Sequence, residues 1–124
     1  MKKIISFSLF LFASALPLLW SACRHQPVVP DQPAISFSGD ILPIVGGNCM
    51  SSNCHGGEAF DLSTYDEFTK QGRITPYKPY NSKVYTSITA TSGEDMMPPS
   101  PQKPLTDQQI NTIYLWILQG ALNN

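Results

Sequence analysis

Ten residues, Asn48 to Gly57, read N-C-M-S-S-N-C-H-G-G and constrain this chain more than any other stretch. Two cysteines are followed at once by a histidine. Two thiols and one imidazole are too few donors for a closed zinc site, which takes four. A disulfide between Cys49 and Cys54 is the plain alternative in an oxidising compartment, but it leaves the adjacent His55 unexplained. Covalent haem attachment explains all three residues. The thiols add to the two vinyl groups, and the second thioether fixes the backbone at the ring edge. Only the side chain directly after it can then swing under the iron. The usual spacer of two residues is here four, Met50, Ser51, Ser52 and Asn53, so the motif is C-x4-C-H.

The chain of 124 residues has room for one compact domain and a leader. Met1-Lys2-Lys3, an apolar run from Ile4 to Trp20, and Ser21-Ala22-Cys23 have the form of a secretory signal, residues 1–22. Pro17 and the short run argue against a membrane-spanning helix. Cys23 falls where a bacterial lipoprotein is cleaved and lipidated, although Trp20 stands where an aliphatic residue is usual. A simple signal peptide with a free Cys23 is the alternative. Export and a lipid anchor put the mature chain in the periplasm or cell envelope, held at a membrane.

Removing the leader takes away Lys2 and Lys3 and lowers the net charge from −1 to −3. That mild acidity offers no footprint for nucleic acid, which requires a basic face. Only 37 of the remaining 102 residues are apolar, thin against the roughly 45–50% of ordinary domains. A domain so small needs a staple or a cofactor to complete its core.

Residues 23–36 form a Pro-rich tether with Pro27, Pro30 and Pro33. His25 lies in it and is expected to be solvent-exposed. Residues 37–124 form the domain. Ser38 or Asp40 caps a short helix carrying Phe37, Ile41, Ile44 and Val45, and Gly46-Gly47 end it. Ser63 caps a second, with Asp66 bonding back and Gly72 closing it; Tyr65 and Phe68 face inward. Residues 81–88 form a third, striped by Val84, Tyr85 and Ile88. The proline-rich segment 91–104 is an irregular loop. The last helix is the clearest: Thr106 and Gln109 make a capping box, Ile110, Ile113, Tyr114, Ile117 and Leu118 make an apolar face, and Gly120 ends it. No segment alternates with period two, so an all-α fold without a substantial sheet is expected.

This order of parts resembles a class I cytochrome c domain, and more closely the small single-haem domains of bacterial envelope proteins. The resemblance covers about residues 37–122. It rests on Ile41-Leu42-Pro43-Ile44, Cys54-His55-Gly56, Met97-Pro98-Pro99, and Leu105 through Trp116-Ile117 to Gly120-Ala121. It implies three to five short helices around one covalently bound haem c, with the first and last crossing near its edge. It implies Cys49 and Cys54 as attachment sites, His55 as proximal iron ligand and Met97 as distal ligand. Met96 is the runner-up; Met97 is preferred because Pro98 restricts it to an extended conformation. Met50 is read as packed or exposed, not as a ligand. Trp116, Tyr85, Phe68 and Tyr114 are expected around the macrocycle. The implied function is single-electron transfer with envelope redox proteins, as a carrier and not an enzyme. The alternatives are a small haem peroxidase or sensor with an open iron site, and a non-haem lipoprotein stapled by a Cys49–Cys54 disulfide.

Overall fold

The computed structural model describes residues 31–51, 54–56 and 61–124. The leader, Cys23 and His25 lie outside the described residues, as do Ser52, Asn53 and Gly57 of the cysteine stretch. Among the described residues all regular structure is helical. None of these helices is long and apolar enough to cross a membrane.

The first element starts earlier than its sequence suggests. Ser36, not Ser38 or Asp40, is the cap: its hydroxyl accepts from the Gly39 N–H (3.1 Å), and the Asp40 carboxylate accepts from the Ser36 N–H (2.8 Å). This reciprocal pair satisfies two otherwise orphaned donors. A π-helical turn, Phe37–Ile41, leads directly into helix α1, Leu42–Asn48. Pro43 sits in the first turn of α1, where its missing N–H is not needed.

Gly46 and Gly47 do not stop the helix. Both are exposed and lie inside α1, and a side chain at either would meet nothing within 4 Å. Glycine weakens a helix by about 1 kcal/mol relative to alanine but does not forbid it. The turn closes because the Cys49 N–H donates to Val45 O (2.8 Å) and the Asn48 amide to Ile44 O (2.7 Å).

Helix α2, Tyr65–Gln71, is capped by Thr64, whose hydroxyl accepts from the Glu67 N–H (3.3 Å). Ser63, the expected cap, is engaged one step earlier: its N–H donates to the Asp61 carboxylate (2.8 Å). Gly72 closes α2 as expected. A 3-10 turn, Pro79–Asn81, precedes α3, Lys83–Ile88, with the buried Ser82 between them. The Ser82 hydroxyl accepts from the Thr75 N–H (2.9 Å) and thereby ties the connector to the start of α3. Helix α4, Asp107–Leu118, has the full Thr106–Gln109 capping box. Past its end, Gly120 has φ +107°, and a Cβ there would meet the Tyr77 ring at 2.9 Å. Glycine is required on both counts.

The core forms where the N-terminal turn lies on α4. Phe37 stacks against Tyr65, Phe68 and Trp116 at centroid distances of 5.3, 5.9 and 5.7 Å. Ile41, Val45, Ile113 and Ile117 complete it, and Trp116 is 0% exposed. The two polar atoms that this aromatic cluster buries find carbonyl partners. Trp116 Nε1–H donates to Leu122 O (3.0 Å) and the Tyr65 hydroxyl to Ala121 O (2.8 Å).

The two ends of the domain are clasped. The Asn124 carbonyl accepts from the Ser38 N–H (3.0 Å) and from the hydroxyls of Ser36 (2.8 Å) and Ser38 (2.9 Å). Its side-chain oxygen accepts from the Phe37 N–H (2.9 Å). Gln119 holds the preceding segment: its Oε1 accepts from the Ile35 N–H (2.8 Å) and its Nε2 donates to Pro33 O (3.0 Å). Pro33, Ile35 and Ser36, assigned to the tether by composition, are therefore fastened to the folded unit.

Candidate functional site

Cys49 is the first residue past α1, so the helix delivers it to the loop at a fixed position. The loop then folds back on itself. The Cys54 N–H and the Gly56 N–H both donate to Ser51 O (2.9 and 3.1 Å), and the His55 N–H donates to Cys49 O (3.1 Å). This last bond spans the spacer. It brings the residue after the second cysteine back against the first, whatever path the four residues between them take. Cys49, Cys54 and His55 are all half-buried, and Cys49 and Met50 pack against the hydrophobic core.

Gly56 is there for close approach. A Cβ at this position would lie 2.8 Å from the Met50 carbonyl carbon and 3.0 Å from Ser51 O. Any side chain would push the loop open, and that gives a steric reason for the Cys-His-Gly sequence.

Neither cysteine is in a disulfide. Burial pushes the Cys49 thiol above its ordinary range, and the neighbouring Cys54 adds to the effect. The two thiols are thus near enough for the charge of one to affect the other, and His55 follows Cys54 directly. Among the described residues no three His, Cys, Asp or Glu side chains converge as ligands for a bare metal ion.

Met97 comes from a different element. Its N–H donates to Ser87 O (3.0 Å) near the end of α3, and Met96 N–H closes a turn onto Gly93 O (3.2 Å). A Lys83–Asp95 ion pair of 2.6 Å ties the same loop to the start of α3. The segment bends at Met97 and Pro98, and the peptide bond between them is cis. Met97 is 38% exposed and Met96 is half-buried. The cysteine loop therefore assembles from local bonds, whereas Met97 is held by α3.

The four aromatics expected around one macrocycle fall into two clusters. Phe68 and Trp116 belong to the core with Phe37 and Tyr65. Tyr85 and Tyr114 join Tyr80 in a second group. Tyr80 carries no local signal in the sequence; its exposure and partners depend on the packing of three elements. Comparison with protein-family models, with curated proteins and with solved structures finds no match.

Proposed function

We propose that residues 37–124 form a haem c-binding electron-transfer domain of the class I cytochrome c type. We further propose that it is exported to the bacterial cell envelope and anchored there through lipid on Cys23. The observation that carries this reading is the cysteine loop. Cys49 leaves α1 at a fixed point, and Cys54-His55-Gly56 is folded back against it through the His55-to-Cys49 backbone bond. The helical architecture and the packing of the N-terminal turn on α4 are compatible with it.

The donor chemistry fits the group. Cys49 and Cys54 would form the thioethers, and His55 would supply an imidazole to the iron. Met97 would supply the thioether ligand, with Met96 as its competitor. Haem, when bound, supplies the Fe(II)/Fe(III) couple. The protein's own part is to hold the ligands, keep the ring edge against apolar side chains and set the potential through a soft thioether, which favours the reduced state. The redox partners are other proteins of the envelope.

A second reading draws on the same closeness of Cys49 and Cys54: a dithiol that oxidises to a staple without haem. One experiment separates the two. The chain is expressed with a haem-attachment system, purified and weighed under denaturing conditions. The added mass of one haem, retained after extraction with acidified organic solvent, is expected. Its release on extraction defeats the covalent assignment. A colourless product with a Cys49–Cys54 disulfide establishes the staple instead.

A further inference from the structure

Away from the cysteine loop, three tyrosines from three elements meet. Tyr80 comes from the 3-10 turn, Tyr85 from α3 and Tyr114 from α4. Centroid distances are 5.5 Å for Tyr80–Tyr85, 6.0 Å for Tyr80–Tyr114 and 5.4 Å for Tyr85–Tyr114. With Ile110 they floor a groove of about 300 Å³, and Asp107 and Asn111 complete its lining. Asp107, Ile110, Asn111 and Tyr114 are spaced i, i+3, i+4 and i+7, so they share one stripe of α4.

The groove has two chemical sides. One is aromatic: Tyr80 leaves 72% of its surface exposed, although it is held in place by two other rings. The other is polar. Asp107 and Asn111 are exposed one helical turn apart, and neither side chain makes a hydrogen bond among the described residues. The phenols add donors. Burial raises the Tyr85 hydroxyl above its ordinary range, the Tyr80 and Tyr114 phenols beside it add to the rise, and a hydrogen bond with Tyr80 adds the rest.

We infer that this groove is a carbohydrate site that takes one pyranose ring of a glycan. A pyranose has an apolar C–H face and a rim of vicinal hydroxyls. The exposed ring of Tyr80, in contact with two other rings, offers the face a stacking surface. The Asp107 carboxylate accepts from hydroxyls, and the Asn111 amide both donates and accepts. The volume lies at the lower end of the roughly 300–1,000 Å³ typical of small-ligand pockets, which suits a single ring.

Two rival ligands fit less well. A quaternary ammonium needs aromatic faces on several sides of the cation. These rings pack steeply against one another, at 84°, 67° and 53°, and leave no room between them. A nucleotide brings phosphates that call for Arg or Lys. The one charged residue lining the groove is Asp107, and nearby Lys83 is engaged with Asp95.

The test is NMR titration of the isotopically labelled full chain with cellotriose, chitotriose, mannotriose and galactotriose. At least one sugar should move the Asn111 amide and the ring signals of Tyr80, Tyr85 and Tyr114, with signals of Cys54 and His55 unmoved. Weak binding is expected, so each sugar is taken to about 20 mM, several times a millimolar Kd. Tyr80→Ala removes an exposed ring and should weaken binding about tenfold, as loss of one stacking contact does. Asp107→Asn should weaken it less, and circular dichroism of both variants should match the parent. The inference is overturned if no sugar moves these signals, if affinity survives Tyr80→Ala, or if choline chloride binds the groove as well as the best sugar does.

Discussion

The backbone N–H of His55 donates to the carbonyl of Cys49 at 3.1 Å, across a six-residue step in the chain. In the same turn Gly56 lies against the Met50 and Ser51 carbonyls. Gly56→Ala should therefore open the loop. Urea unfolding of the haem-free chain should show a loss of about 1–3 kcal/mol, the usual range for forced overpacking. Haem yield on expression should fall with it. Gly46→Ala makes the opposite case, since nothing opposes a methyl there. It should raise stability by about 0.5–1 kcal/mol.

The ligand assignment separates two neighbouring methionines. Met97→Ala should lower the midpoint potential of the haem-loaded protein and remove the weak near-infrared thioether-to-iron band. Met96→Ala should leave both unchanged. The reverse pattern assigns Met96. No change with either variant gives an open or otherwise filled sixth site, and the peroxidase or sensor reading then takes precedence.

Cys49 makes the haem-free chain sensitive to alkali. Its thiol is held above the ordinary value of 9.0, so between the unfolded and folded values the native state keeps a proton that the unfolded state has lost. The contribution to stability is whole below about pH 9 and declines as pH rises through the folded value. Urea midpoints measured from pH 7 to 10.5 should fall more steeply for the parent than for Cys49→Ser. Alkylation of Cys49 by iodoacetamide should also rise at a higher pH than that of a solvent-exposed thiol.

The core predicts its own hierarchy. Trp116 is fully enclosed and its indole N–H is bonded to Leu122 O, so Trp116→Ala should cost about 3–5 kcal/mol. Tyr65→Phe removes only the hydroxyl bond to Ala121 O and should cost about 0.5–1.5 kcal/mol. Chemical denaturation of both variants gives the comparison.

What could be read from the chain followed the range of the forces involved. Thr106 and Gln109 were legible because a capping box is closed within four residues and its side chains have no better partner. The apolar stripe of α4 was legible for the same reason, since its period is intrinsic to the helix. Ser63 and Thr64 compete for one role, and the decision rests with the Asp61 carboxylate, which engages the Ser63 N–H first. Gly46 and Gly47 carry a weak statistical bias that two ordinary hydrogen bonds overrule. The cysteine loop was legible as a motif, but its closure by His55 was not. The groove joins Tyr80 and Tyr85 to residues of α4 that lie 22 or more positions further on, and the Asn124 clasp joins residues about 87 positions apart. No local pattern encodes such pairings.

The clasp also decides how the domain responds to force. Tension arriving along the chain at Pro33 meets Gln119 and Asn124 before it meets the core. The load passes into the end of α4, and the bonds between Asn124 and the Ser36–Ser38 segment resist it together. Cys49 lies at the other end of the helical segment from that junction, just past Asn48. Pull applied to the N-terminal segment is therefore borne by these bonds at the end of α4 before it reaches α1 and Cys49. The clasp acts as a strain relief, as a cable grip does where a lead enters its housing.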